Sequence, residues 1–194
     1  VSLLLPFGIT TDPASIMSAP DAKEITRRLS DLRGFFNDKA AYDQALPADP
    51  LIYKVYEFEY ERDNRGMGFA CTVIMSGTVG RECYMTKGHF HGTPGDEMYL
   101  GVGGRGRLLM YNRAGEQRVV EMNAGSVAYI PMEWAHRSVN VGDEPFTFLS
   151  FWPSGIKLDY QTILENGFPM LALRGADGPE IVANPSFKPS GGRQ

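Results

Sequence analysis

From Leu51 onward, apolar and polar positions alternate with a period of two. The stretch Leu51-Ile52-Tyr53-Lys54-Val55-Tyr56-Glu57-Phe58-Glu59-Tyr60 is rich in β-branched and aromatic residues, and the polar run Asp63-Asn64-Arg65-Gly66 closes it as a turn. Further strands are predicted over 68–75, 78–86, 97–102, 107–111, 117–121, 127–131, 136–141 and 146–152. Turn residues separate most of them: Gly103-Gly104, Asn112-Arg113-Ala114-Gly115, Asn123-Ala124-Gly125 and Gly142-Asp143-Glu144-Pro145. Many short strands at close, regular spacing predict an all-β sandwich or barrel rather than a βαβ fold.

The chain before and after these strands reads differently. Segments 21–29 and 37–46 place apolar residues at helical spacing behind Asp21 and Asn37, predicting two short capped helices joined through Arg33-Gly34-Phe35-Phe36. Asp159 is placed to cap a helix over 160–166, which Gly167 ends, and the tail after Lys188 is expected to be loose. One domain is expected, with an arm at 1–50 packing on the barrel or on a partner subunit, a barrel at 51–155, and a short helix and tail at 156–194.

A chain of 194 residues can bury one substantial core, and 43% apolar with 22% charged residues is ordinary for a globular protein. The formal net charge of −4 excludes a broadly basic face, so no nucleic-acid partner is expected. Cys71 and Cys83 make no disulfide framework and read as reduced, buried thiols of a cytoplasmic protein. The opening Val1-Ser2-Leu3-Leu4-Leu5 stops at Pro6-Phe7-Gly8, so neither a signal peptide nor a membrane span is expected from this stretch.

The candidate chemistry is concentrated in the histidines. There are three in all, His89, His91 and His136. His89 and His91 lie two apart on a run that reads as a strand, so they point to one face. Glu97 follows the loop Gly92-Thr93-Pro94-Gly95-Asp96, where a hairpin returns its carboxylate beside them, and His136 follows the turn Pro131-Met132-Glu133-Trp134-Ala135. Three imidazoles and a carboxylate suit one divalent transition metal per subunit, with Fe(II) placed first and Mn(II), Ni(II), Co(II) and Zn(II) as alternatives.

The strings His89-x-His91-x5-Glu97-x6-Gly104 and Gly125-x5-Pro131-x4-His136-x3-Asn140 resemble the two signature motifs of the cupin superfamily. The first departs from the usual pattern at Cys83, where a glycine is common, and in a slightly long gap before Glu97. The resemblance implies a cupin β-barrel, the double-stranded β-helix or jelly roll, with an N-terminal arm and a few short helices.

A narrower likeness runs through Pro6-Phe7-Gly8, Arg27-Arg28-Leu29-Ser30-Asp31-Leu32, Phe69-Ala70-Cys71-Thr72-Val73, Thr86-Lys87-Gly88-His89-Phe90-His91, Trp134-Ala135-His136-Arg137, Asp159-Tyr160 and Glu165-Asn166-Gly167-Phe168. These stretches resemble the cupin-type glucose-6-phosphate isomerases of archaea and some bacteria. The resemblance implies a metal-dependent homodimer of glycolysis and gluconeogenesis that interconverts glucose 6-phosphate and fructose 6-phosphate. Carried over by motif, Thr72, Thr86, Gly88 and Tyr160 hold the phosphate, and Glu97 and Tyr99 face the sugar near C1 and C2. Lys87 reads first as a solvated side chain, with added positive potential at the mouth as its alternative role. Trp152 stands where some members have a phosphate-contacting tyrosine, and Leu158 where some have a histidine.

Two features of this reading make demands on the structure. Thr86 and His89 are an odd number of residues apart, so both can face one cavity only if Gly88 forms a bulge that re-aims the chain. Glu97 is the candidate base for proton transfer between C2 and C1, or else purely a ligand beside a hydride shift. A cupin dioxygenase with the same ligand set, and a non-catalytic sugar-binding cupin, are the rival readings. Tyr53, Tyr56, Phe58, Phe148 and Phe151 read as core or dimer-interface aromatics.

Overall fold

A computed structural model describes residues 22–59 and 66–189. Pro6-Phe7-Gly8, the Asp63–Arg65 part of the expected turn and the tail from Ser190 lie outside the described residues. Strand β1 (Lys23–Arg28) is followed by a 3-10 turn (Leu29–Leu32), helix α1 (Lys39–Ala45) and a second 3-10 turn (Leu46–Ala48). Then come β2 (Leu51–Glu59), β3 (Met67–Ile74), β4 (Thr78–Val79), β5 (Glu82–Cys83), β6 (Phe90–His91), β7 (Glu97–Gly103) and β8 (Arg105–Asn112). After these, β9 (Gln117–Asn123), β10 (Val127–Ile130), β11 (Trp134–Asn140), β12 (Phe146–Pro153) and β13 (Leu158–Asp159) lead to α2 (Gln161–Asn166). The hairpin of β14 (Met170–Gly175) and β15 (Gly178–Ala183) closes the series.

The expected all-β class is the observed one. A six-stranded sheet runs β1-β2-β3-β12-β7-β10, a three-stranded sheet runs β11-β8-β9, and a four-stranded sheet runs β15-β14-β5-β4. Adjacent strands pair antiparallel, and β6 pairs with β13. The large sheets bury one common core. Ile52, Ile74, Phe146 and Phe148 come to it from the six-stranded sheet, and Leu108, Met110 and Val139 from the three-stranded one.

Asn140 closes the second motif for a structural reason. Its amide donates to the carbonyls of Ile74 at 2.9 Å and Glu144 at 2.8 Å, and its Oδ1 accepts from the Gly142 N–H at 2.9 Å. A fully buried amide satisfied in this way ties β11 to β3 and to the turn before β12.

The predicted helix at 21–29 is instead strand β1 over Lys23–Arg28. The edge of β2 offers it a full antiparallel ladder, which outweighs weak local helix propensity, and alternation then turns Ile25 and Arg27 onto one cavity. The expected single strand 78–86 folds back at Gly80-Arg81 into a tight hairpin, pairing Val79 with Glu82. The β14–β15 hairpin was not expected, because its apolar run is short and its turn is diluted among other glycines and prolines. The other two helices stand close to expectation. Asp38 rather than Asn37 caps α1 through the Ala41 N–H at 3.0 Å, and Asp159 Oδ1 accepts from the Thr162 N–H of α2 at 3.0 Å.

Where the segment before α1 meets the β4–β5 hairpin, Glu82 is 3% exposed and accepts the Asn37 N–H at 2.8 Å. Burial pushes its pKa from 4.5 up to about 7, against the opposing pull of the Asn37 amide and the Arg137 charge. Between these two values the folded chain holds the Glu82 proton more tightly than the unfolded chain does. This contribution to stability is therefore complete below pH 4.5 and is lost as pH rises through about 7. Glu82→Gln is expected to remove that decline, about 3 kcal/mol at most, when urea unfolding is compared at pH 5 and pH 8. An identical pH dependence in the variant and the parent would show that Glu82 ionises as an ordinary carboxylate.

Candidate metal centre

The site is assembled where β6, β7 and β11 approach one another. His89 and His136 form an antiparallel bridge, with the His89 N–H 3.2 Å from the His136 carbonyl and the His136 N–H 3.1 Å from the His89 carbonyl. Their rings lie 4.4 Å apart between centroids, and His91 lies 5.3 Å from His136. Glu97, the first residue of β7, brings Oε1 within 3.4 Å of His91 Nε2 and Oε2 within 3.2 Å of His136 Nε2. One potential ligand atom from each of the four residues lies within 4.8 Å of the others.

The imidazoles are oriented from behind. Nδ1 of His91 faces the Gly95 carbonyl at 2.5 Å and Nδ1 of His136 faces the Trp134 carbonyl at 3.4 Å. A carbonyl can only accept, so Nδ1 carries the proton and Nε2 presents its lone pair to the centre. The loop holding Gly95 is itself anchored, because Asp96 accepts from the Tyr129 hydroxyl and from the Met132 N–H at 2.9 Å.

Nε2 of His89, His91 and His136, and Oε2 of Glu97, are buried and lack a hydrogen-bond partner. Four such atoms converging on one point are what a cation would satisfy, and three imidazoles with one carboxylate suit a borderline divalent ion. The electrostatics agree. Burial, reinforced by His136, drives the His89 pKa well below its ordinary value, so this ring is neutral. Burial works against charge on Glu97, but protons on the facing Nε2 atoms of His136 and His91, in the place a cation would take, hold the carboxyl well below the usual carboxylate range.

A cavity of about 430 Å3 opens onto this centre. Thr72, Thr86, Lys87, Gly88, Tyr99 and Tyr160 all line it, together with His89, Glu97 and His136, while His91 reaches the centre from the opposite side. The parity problem is resolved as the sequence required. Residues 86–88 leave the ladder, and Gly88 takes φ +73°, a left-handed conformation that lets Thr86 and His89 face the same space. A Cβ on Gly88 would also press to 3.0 Å against both Arg137 Cβ and the His136 carbonyl.

Tyr99 lies over Phe148 at 4.9 Å. Burial, then the Glu97 charge, raises its hydroxyl pKa far above the ordinary value, keeping it a neutral donor. Tyr53 and Phe148 belong to the buried core, as expected, and also form part of the cavity wall. Arg27 and Tyr53 were missed as site residues. The available signal was their period-two company, Ile25 with Arg27 and Tyr53 with Val55 and Glu57, which shares the wall. Trp152 and Leu158 also line the cavity, and the Trp152 indole fills the space over Gly68, where a Cβ would come within 2.4 Å of it.

The glucose-6-phosphate isomerase family model matches residues 26–175. The chain belongs to the glucose-6-phosphate isomerase family. A relative from Thermococcus kodakarensis bearing that name is 43% identical over 170 residues, which cover 87% of this chain and 90% of the relative. One from Pyrococcus furiosus is 39% identical over 186 residues, covering 94% and 97%. Among solved structures, oxalate decarboxylase of Bacillus subtilis overlaps 52% of this chain and 25% of its own at 25% identity, with a TM-score of 0.44. The metal-ligating candidates of this isomerase-family chain, and every cavity residue named above except Ile25, fall inside the matched span.

The geometry generates a direct test of the ligand set. Chain stripped with EDTA is expected to bind one divalent cation and gain about 2.7 kcal/mol of stability at a hundredfold excess over Kd. His136→Ala is expected to weaken metal affinity by at least about tenfold and to abolish the thermal shift. Unchanged metal content in that variant would remove His136 from the ligand set.

Proposed function

We propose that this chain interconverts glucose 6-phosphate and fructose 6-phosphate with a divalent metal, Fe(II) first among the candidates, held by His89, His91, Glu97 and His136. One observation carries the reading. The orphaned ligand atoms and a set of neutral anion donors open onto one cavity, in a chain about 40% identical over most of its length to proteins named for this reaction.

The phosphate is assigned to the end formed by Thr72, Thr86, Gly88, Tyr160 and Lys87. Threonine and tyrosine hydroxyls and the Gly88 N–H supply donors there, and Lys87 adds charge. A metal bound at the four ligands supplies Lewis-acid stabilisation to the oxygens on C1 and C2. Glu97 is assigned the transfer of the proton from C2 of the aldose to C1, while the C2 hydroxyl proton passes to the C1 oxygen, and it serves as this base only when its carboxylate is not tied to the cation. The Tyr99 hydroxyl, protonated throughout, donates to a sugar oxygen as charge develops on it.

A homodimer fits the outer face of the six-stranded sheet. Phe58, Phe69, Phe151, Met98 and Tyr129 stand opposite one another across five strands, facing away from the cavity. Met98 and Tyr129 are 48% and 58% exposed, so the apolar row ends uncovered in the single chain. A cytoplasmic setting agrees with Cys71 and Cys83 being free and buried, the Cys71 thiol being pushed up to about 11 by burial. Among the described residues no helix is long and apolar enough to cross a membrane.

The test is a coupled assay from fructose 6-phosphate to glucose 6-phosphate on EDTA-stripped protein, with and without Fe(II), Mn(II) or Ni(II), and a repeat in D2O. Metal-restored turnover without oxygen consumption, deuterium entering the product at C2, and a loss of at least about a hundredfold in Glu97→Gln are expected. Turnover with no deuterium incorporated would reassign Glu97 as a ligand beside a hydride shift. Absence of turnover from metal-loaded protein would overturn the isomerase reading.

A further inference from the structure

Arg137 follows a metal-ligating candidate directly, and the chemistry above leaves it unused. Strand alternation turns it away from the side His136 faces, where it is 2% exposed. There its guanidinium lies 4.8 Å over the Phe168 ring, and burial lowers its pKa to about 10, against the favourable pull of Glu82. A buried guanidinium is an expensive way to fill a core, since an aliphatic side chain of similar volume stabilises as well or better. Its hydrogen bonds indicate what it does.

Nε and Nη2 of Arg137 both donate to the Lys87 carbonyl, at 3.2 Å and 2.8 Å. Lys87 lies in the stretch that has left the ladder, between Thr86, whose N–H is 2.9 Å from the Ser138 carbonyl, and His89, which bridges to His136. Those flanking contacts are backbone pairings, with the Thr86 hydroxyl also accepting from the Ser138 N–H at 3.1 Å. At Lys87 itself the hold is a side chain, and Gly88 packs directly on Arg137, so the left-handed turn rests against the guanidinium stem.

We infer that Arg137 is a positioning residue for the anion-binding end of the cavity, acting through the Lys87 carbonyl to fix the direction of the Gly88 N–H. The inference rests on the proposed assignment of that end to phosphate. It separates two jobs within one strand: His136 serves the metal, and Arg137 shapes the loop that meets the anion.

The experiment compares Arg137→Lys, which keeps a buried cation but loses the forked pair of donors, with Arg137→Gln, which keeps donors without the charge. Three readouts are needed: metal content, binding of inorganic phosphate by isothermal titration, and KM and kcat for fructose 6-phosphate. Phosphate binding needs no turnover, so a failed isomerase reading is distinguishable from a failed role for Arg137. Both variants are expected to keep full metal content and a cooperative unfolding transition. Phosphate binding should weaken about tenfold and KM rise in step, with kcat changed far less. Phosphate affinity within twofold of the parent in both variants would overturn the inference. Metal loss accompanying phosphate loss would overturn it too, because Arg137 would then be supporting the histidines instead of the loop.

Discussion

Three imidazoles and a carboxylate, buried with lone pairs facing one another, are held together only if the surrounding chain makes every other arrangement worse. Desolvation alone opposes them, and no protein donor satisfies the inward-facing atoms. The local architecture supplies the restraint. A backbone bridge fixes His89 to His136, carbonyls behind His91 and His136 set which nitrogen faces inward, and Asp96 anchors the loop that carries one of those carbonyls. Such a site is pre-organised for a cation, since the protein has already met the cost of removing the ligands from water.

The same sheet performs two tasks through its alternation. On the six-stranded sheet, residues such as Val55, Thr72, Tyr99 and Ser150 line the cavity, and their neighbours Phe58, Cys71, Met98 and Phe151 face the other way. The register that fixes the catalytic wall therefore also fixes the aromatic row behind it. A slip of one residue would exchange the two faces, which ties the integrity of the cavity to that of the proposed dimer surface.

Legibility in the sequence follows from how local each determinant is. The His89–His91 pair could be read because strand alternation is a local rule, and the odd spacing from Thr86 even forecast the conformation of Gly88. The strand assignments from β6 to β12 were legible for the same reason, since each run carries its own alternation and turn chemistry. Residues 23–28 were misread as helix because their strand state is imposed by β2, a partner far along the chain. Arg27 and Arg137 were invisible as site residues for a related reason. The period-two company of Arg27 becomes a signal only once β2 has made its segment a strand, and packing from elsewhere decides that Arg137 is a buried clamp.

Charge presents the last constraint. The chain carries a formal net charge of −4, yet its proposed substrate is a dianion. At physiological ionic strength the Debye length is about 8 Å, so surface carboxylates beyond that range are largely screened from the cavity mouth. What an anion at the proposed phosphate end would meet is local: Arg27 and Lys87 line the same cavity, as does Glu57. Burial, then the nearby Arg27, lowers the Lys87 pKa, and its ammonium rests 5.4 Å over the Phe35 ring. Arg27 and Lys87 line one partly enclosed cavity and repel each other, with Asp31 opposing that effect at Lys87. An anion bound near both relieves that repulsion, so a chain that is acidic as a whole can still select an anionic sugar.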